Sequence, residues 1–150
     1  MSIKGLTREA WQDRLKSLEY RYRKRIERKN IRLFSPDGII HRYRYPVMTA
    51  EQTPLHWRFD LDRNRNPYLL ERLGINSTFH PGAIRQNGTV YLVFRVEGKD
   101  RKSFFAVAES QSGTDGFQFW DTPVVLPETE DPDVNVYDMR LTEHEDGWIY

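Results

Sequence analysis

Apolar residues recur at helical spacing near the start of the chain. Trp11, Leu15, Leu18, Tyr22 and Ile26 fall four, three, four and four apart, one stripe on a helix predicted over residues 7–29. Thr7 suits its N-cap, and Glu9 places a negative charge in the first turn, where the helix dipole favours it. From residue 82 the period changes to two. Residues 82–85 lead into Asn87-Gly88, a strong hairpin signal. In the following strand, 89–97, Tyr91, Val93, Arg95 and Glu97 share one face, and Val90, Leu92, Phe94 and Val96 the other. Its first half is apolar on both faces, so burial on both is expected. A second two-sided run, 104–108, sits inside a strand predicted over 103–110. Short strand-like pieces follow at 117–120 and 124–126, separated by Pro123.

Weaker signals surround this meander. Ser35-Pro36-Asp37-Gly38 is a turn, followed by a predicted strand over 39–45 that Pro46 ends. Residues 55–60 alternate again. Asn66-Pro67 reads as the cap and first position of a short helix closed by Gly74. Asn76-Ser77-Thr78 then gives small polar groups in a predicted loop, a common source of ligand contacts. In residues 135–142, Tyr137, Met139 and Leu141 alternate with Asp138 and Arg140; as a strand, this puts a carboxylate and a guanidinium on one face. Many short strands with close turns point to an all-β sandwich, barrel or propeller. Residues 148–150 follow the turn Asp146-Gly147 and read as a strand's beginning, so the chain is expected to be the front part of a longer protein.

Composition narrows the class. The 150 residues suffice for one domain with a core, and 13% aromatics argue against disorder. Lys plus Arg (23) nearly balance Asp plus Glu (22), so net charge predicts neither a nucleic-acid nor a membrane partner. The helix's second half is basic (Arg21, Arg23, Lys24, Arg25, Arg28, Lys29); a solvated face or a contact with a second subunit is expected there, and hence a homo-oligomer. There is no cysteine, no apolar leader and no run long enough to span a bilayer, so a cytoplasmic protein is expected.

Polar groups cluster at predicted strand ends: Arg95 with Glu97, Arg101 in the next loop, and Asp138 with Arg140. Arginines offer fixed, directional donors to sugar hydroxyls and phosphate. A carboxylate serves as proton donor where burial disfavours its charged form. Interstrand ion pairs explain the same residues equally well. Glu128, Glu130, Asp131 and Asp133 around Pro132 form a second acidic group, but without the spacing and glycine of an EF-hand loop, and a solvated loop is expected. His56 and Asp60 are too isolated for a metal site, and a structural histidine is expected.

Asn76-Ser77-Thr78, the run from Arg95 to Ser110, and residues 135–142 followed by 145–150 together resemble the β-mannoside phosphorylases of glycoside hydrolase family 130. The resemblance extends from about Arg42 and includes Arg42-Tyr43-Arg44-Tyr45-Pro46-Val47 and His56-Trp57-Arg58-Phe59-Asp60. It is closest to the branch acting on 4-O-β-D-mannosyl-D-glucose. It implies a five-bladed β-propeller, of which residues 31–150 form the N-terminal part, preceded by a helical extension over 1–30. It implies a glycosyl-transferring enzyme: inverting phosphorolysis of the disaccharide to α-D-mannose 1-phosphate and glucose, with inorganic phosphate as co-substrate and no cofactor. One carboxylate then suffices, since phosphate is already an anionic nucleophile. The resemblance makes Asp138 that acid, reaching the glycosidic oxygen through the mannose 3-hydroxyl. It makes Asn76, Ser77, Arg95, Arg101 and Arg140 substrate-binding. The family's commoner acid motif is Glu-Asp-Pro-Arg, where this chain has Tyr137-Asp138-Met139-Arg140. Glu130-Asp131-Pro132 imitates the commoner form but continues with Asp133, which favours Asp138. The family's phosphate-binding residues lie beyond position 150, so a chain of this length alone is expected to be inactive. A non-catalytic carbohydrate-binding β-domain is the second reading; a basic-helix interaction module is the third.

Overall fold

The computed structural model describes residues 5–128 and 135–150; the acidic group around Pro132 lies largely outside them. A four-stranded antiparallel sheet runs in chain order: β1 (Ile75–Gln86), β2 (Thr89–Gly98), β3 (Ser103–Ser110) and β4 (Gln118–Phe119). Asn87 and Gly88 both have positive φ, 49° and 84°, the two-residue hairpin conformation that matches strand twist. On one face of the sheet, Leu92, Phe94, Val96, Ala106, Ala108 and Phe119 pack with Met48, Ile75 and Phe117. On the other, Val93 and Phe105 are also buried, so the expected two-sided burial of β2 is found.

Helix α1 (Arg8–Ile26) begins as predicted, with the Thr7 hydroxyl accepting from the Ala10 amide at 3.2 Å. Its apolar stripe is covered within the chain. Trp11 is buried with Phe59 and Leu69, with Leu15, Leu18 and Leu55 against them. The indole Nε1 donates to the Asn66 carbonyl at 2.9 Å. The stripe is thus used within the chain, and the expected homo-oligomer contact through this helix is not supported. The basic half stays a largely solvated face, with Arg21, Arg23, Lys24, Arg25 and Lys29 exposed. It still makes contacts at its rim: Arg25 pairs with Glu51, Lys29 with Asp115, and the Arg28 guanidinium lies 3.8 Å from the centre of the Tyr45 ring.

Several short predictions are corrected. Residues 39–45 form no regular strand; one bridge, Arg32 to Tyr43, ties the arms of a hairpin around the 35–38 turn. The alternation at 55–60 belongs to α2 (Leu55–Arg58), a single helical turn entered from Pro54. There His56 Nε2 and Trp57 Nε1 both reach the Asp121 carbonyl, at 2.9 and 2.8 Å, a structural role for the histidine. Asn66 caps no helix. Its side chain is buried and closes a loop, accepting from the Leu70 amide and donating to the carbonyls of Asp60 and Leu70. A side chain that satisfies loop backbone this completely outcompetes a short helix. Residues 124–126 contribute one hydrogen bond, Val124 amide to Phe105 carbonyl, and no strand.

Asp60 organises the 58–72 loop. It accepts from the Asp62 amide at 3.0 Å and pairs with Arg65 and Arg72 at 3.0 and 3.2 Å. The Asp62 amide first, then the two arginines, hold its carboxyl below the usual range. A depressed folded value means that this stabilisation is full above the unfolded value of about 3.9 and is lost as pH falls through the folded value. Asp60→Asn is expected to flatten the fall of the melting temperature below about pH 4 and to lower it at pH 7. Thermal melts from pH 2 to 7 test this; an unchanged acid slope would refute it.

Candidate functional site

Counting outward from the Asn87-Gly88 turn pairs Arg95 with His80. The register shifts between Phe79 and Gly82, where His80 takes a φ of 44°, so Phe79 becomes the partner of Arg95 and Ser77 that of Glu97. This bulge aims the residues of the site. Arg95 now lies under Phe79, its guanidinium 4.3 Å from the ring centre, while Tyr137 approaches at 5.3 Å. These are cation–π distances.

Four polar side chains gather about this arginine. Its Nη1 lies 3.6 Å from Asp138 Oδ1 and its Nη2 3.8 Å from Glu97 Oε2. Arg101 reaches Glu97 at 3.8 Å from a loop position of positive φ. The Asn76 amide donates to Glu97 Oε1 at 2.9 Å. Arg95 and Glu97 are mostly covered, whereas the Asp138 side chain is 34% exposed and that of Arg101 83%. The charge pairs around Arg95 are longer than direct hydrogen bonds. Arg95 Nε is buried with no partner, as is the Thr78 hydroxyl on the opposite face. Leaving such an atom unbonded costs about 1–3 kcal/mol. Arg95 is therefore held by rings and by charge at a distance.

Of the predicted site residues, Asn76, Arg95, Arg101 and Asp138 come together, with Glu97 linking them. Ser77 is half-buried on β1, beside Asn76 in an open depression of about 430 Å³ floored by Met48 and Thr49. Asn76 and Ser77 thus stand in a strand, not the predicted loop. Arg140 does not join; its guanidinium folds back on the Met139 carbonyl at 2.9 Å. Residues 135–142 form no regular strand. Their alternation is one-sided only in part: Met139 and Leu141 are half-covered, whereas the Tyr137 ring is 72% exposed and turns toward Arg95. The sequence pattern does not reveal the two aromatic contacts of Arg95. The bulge hides Phe79, and simple alternation assigns Tyr137 to the buried face. Among the described residues, no three His, Asp or Glu side chains are placed to hold a metal ion. No helix among them is long and apolar enough to cross a membrane.

No family model matches the chain. A search of curated proteins finds 58% identity over 125 residues to 4-O-beta-D-mannosyl-D-glucose phosphorylase of Bacteroides fragilis, covering 83% of this chain. The chain spans 32% of that relative's length. The resemblance read from the motifs is thereby borne out.

Proposed function

We propose that this chain is the N-terminal part of a β-mannoside phosphorylase that cleaves 4-O-β-D-mannosyl-D-glucose with inorganic phosphate. The observation that carries the reading is the approach of Asp138 to Arg95, with Glu97 and Asn76 alongside, in a chain so similar to a phosphorylase of that disaccharide. Asp138 is the proton donor. A phosphate oxygen forms the new bond to the mannose anomeric carbon as the bond to the glucose 4-oxygen breaks. The Asp138 proton passes to that leaving oxygen, and the carboxylate is reprotonated before the next turnover. Mannose 1-phosphate of inverted configuration and glucose result. Arg95 and Arg101 provide donors to sugar hydroxyls; Asn76 and Ser77 line the same side.

The four-stranded antiparallel meander agrees with a single blade of a five-bladed propeller, which would make residues 31–150 the start of the catalytic domain and residues 1–30 its helical extension. A rim of strand ends and loops around a central cavity is where such a fold keeps its ligand.

The complete enzyme, incubated with the disaccharide and phosphate, is expected to release mannose 1-phosphate in strict proportion to glucose. Omitting phosphate should stop glucose release. Free mannose formed without phosphate would instead identify a hydrolase, and sugar binding without turnover would support a non-catalytic carbohydrate-binding domain.

A further inference from the structure

The segment that carries Asp138 pairs with a neighbouring backbone only from Thr142 onward, where it meets Tyr150, yet the position of Asp138 is fixed on two sides. Strand β3 has β2 along one edge and, along the other, β4 only at Ala108 and Glu109. The rest of that outer edge is satisfied piecemeal: the Val107 carbonyl accepts from the Trp120 amide and the Phe105 carbonyl from the Val124 amide, each at 2.9 Å. At Ser103, the first residue of β3, a side chain completes the edge. The Ser103 amide donates to Asn135 Oδ1 at 3.0 Å, and its hydroxyl donates to the Val136 carbonyl at 2.9 Å. Ser103 is the register partner of Glu97, so this clamp sits in the row next to the polar cluster. On the far side, Gly82 of β1 lets residues 139–141 lie against the strand. A Cβ at Gly82 would stand 3.0 Å from the Met139 carbonyl oxygen and 3.1 Å from Leu141 Cγ.

We infer that Asn135 and Ser103, with Gly82 opposite, are positioning residues that hold the Asp138 carboxylate at the sugar site. This rests on the reading of Asp138 as proton donor. The clamp begins three residues before Asp138 and the Gly82 contact begins one residue after it, so the acid is suspended between two anchors. Tyr137, between clamp and acid, is aligned with Arg95 by the same restraint. Ser103 is paired with Glu97 in the ladder, but the hydrogen bonds that form the clamp run to Asn135 and Val136 and not to the cluster, so their loss acts through the acid's position. Misplacing a reacting group by about 1 Å can cost about 100-fold in rate.

In the complete enzyme, Asn135→Ala is expected to lower kcat for phosphorolysis by about 10- to 100-fold while the KM for phosphate stays within about threefold. Ser103→Ala, which removes only the hydroxyl bond, should lose less, and Ser103→Thr, which keeps it, should restore kcat. In an Asp138→Asn background, Asn135→Ala should cause no further loss, since the group it positions can no longer give a proton. Full kcat in both Asn135→Ala and Ser103→Ala would overturn the inference. So would equal losses in Ser103→Ala and Ser103→Thr, or an undiminished effect of Asn135→Ala on top of Asp138→Asn. If Asn135→Ala does not fold, the two Ser103 variants decide the matter. Failure of the underlying reading looks different: Asp138→Asn itself would keep full activity.

Discussion

Replacing Asp138 by asparagine is expected to reduce phosphorolysis by about 100- to 10,000-fold, the range for loss of a positioned general acid. The substitution keeps the side chain's size and leaves an oxygen to face Arg95 Nη1, now 3.6 Å from the carboxylate. It removes the acidic, transferable proton together with the carboxylate charge. Binding of the disaccharide should therefore persist, with KM changed far less than kcat, because an interaction made only in the transition state has been lost. The measurement is initial-rate release of mannose 1-phosphate over a range of disaccharide and phosphate concentrations. Synthesis in reverse, from mannose 1-phosphate and glucose, should fall by the same factor, since the same group must then accept the proton. An Asp138→Asn enzyme of ordinary kcat would remove Asp138 from the mechanism. Asp131, the alternative within the acidic run of the sequence, supplies the control: Asp131→Asn is expected to retain activity.

Features whose determinants are local are legible in the amino-acid sequence itself. Helix α1 needs only its stripe and the Thr7 cap, and the β1–β2 hairpin needs only Asn87-Gly88 and alternating flanks. The pairing of Arg95 with Glu97 is legible for the same reason, since the two are two apart on a strand whose faces follow from its alternation. Arg140 departs from its expected place because residues 135–141 have no partner strand; backbone pairing begins only at Thr142, with Tyr150. Alternation fixes side-chain direction only when a neighbouring strand holds the pleat. Without one, Tyr137 turns to Arg95 and Arg140 to its own backbone. Phe79 escapes sequence reasoning because the register shift between it and Gly82 replaces the expected partner of Arg95. The segments at 55–60 and 66–74 differ for other reasons. The first is decided by long-range contacts of His56 and Trp57 to Asp121 that no local pattern encodes. In the second, the Asn66 side chain bonds the Leu70 backbone within its own loop in place of capping a helix.

Phe94→Ala is expected to destabilise the chain by about 3–5 kcal/mol. Phe94 is 3% exposed, and its ring meets Phe119 edge-on at 5.5 Å; Phe119 in turn packs on Trp57 at 5.5 Å. This contact joins the middle of the sheet to α2, so the cavity left by alanine would open where two parts of the core meet. Against a total of about 5–15 kcal/mol for a typical domain, the loss is a large share. With a urea slope of about 1–3 kcal/mol per molar, the unfolding midpoint should drop by at least about 1 M. Phe34→Ala is the matched control. Phe34 lies at the tip of the 31–44 hairpin, 89% exposed, and its truncation should stay within about 0.5 kcal/mol. Equal midpoints for the two variants would mean that this face of the sheet is not the core. Phe94 also precedes Arg95 in β2 with its side chain on the opposite face, so packing beneath the strand sets the level at which Arg95 meets Asp138. A milder Phe94→Leu change should therefore keep most of the stability yet lower kcat, whereas a core residue remote from the cluster, such as Phe117→Leu, should change stability alone.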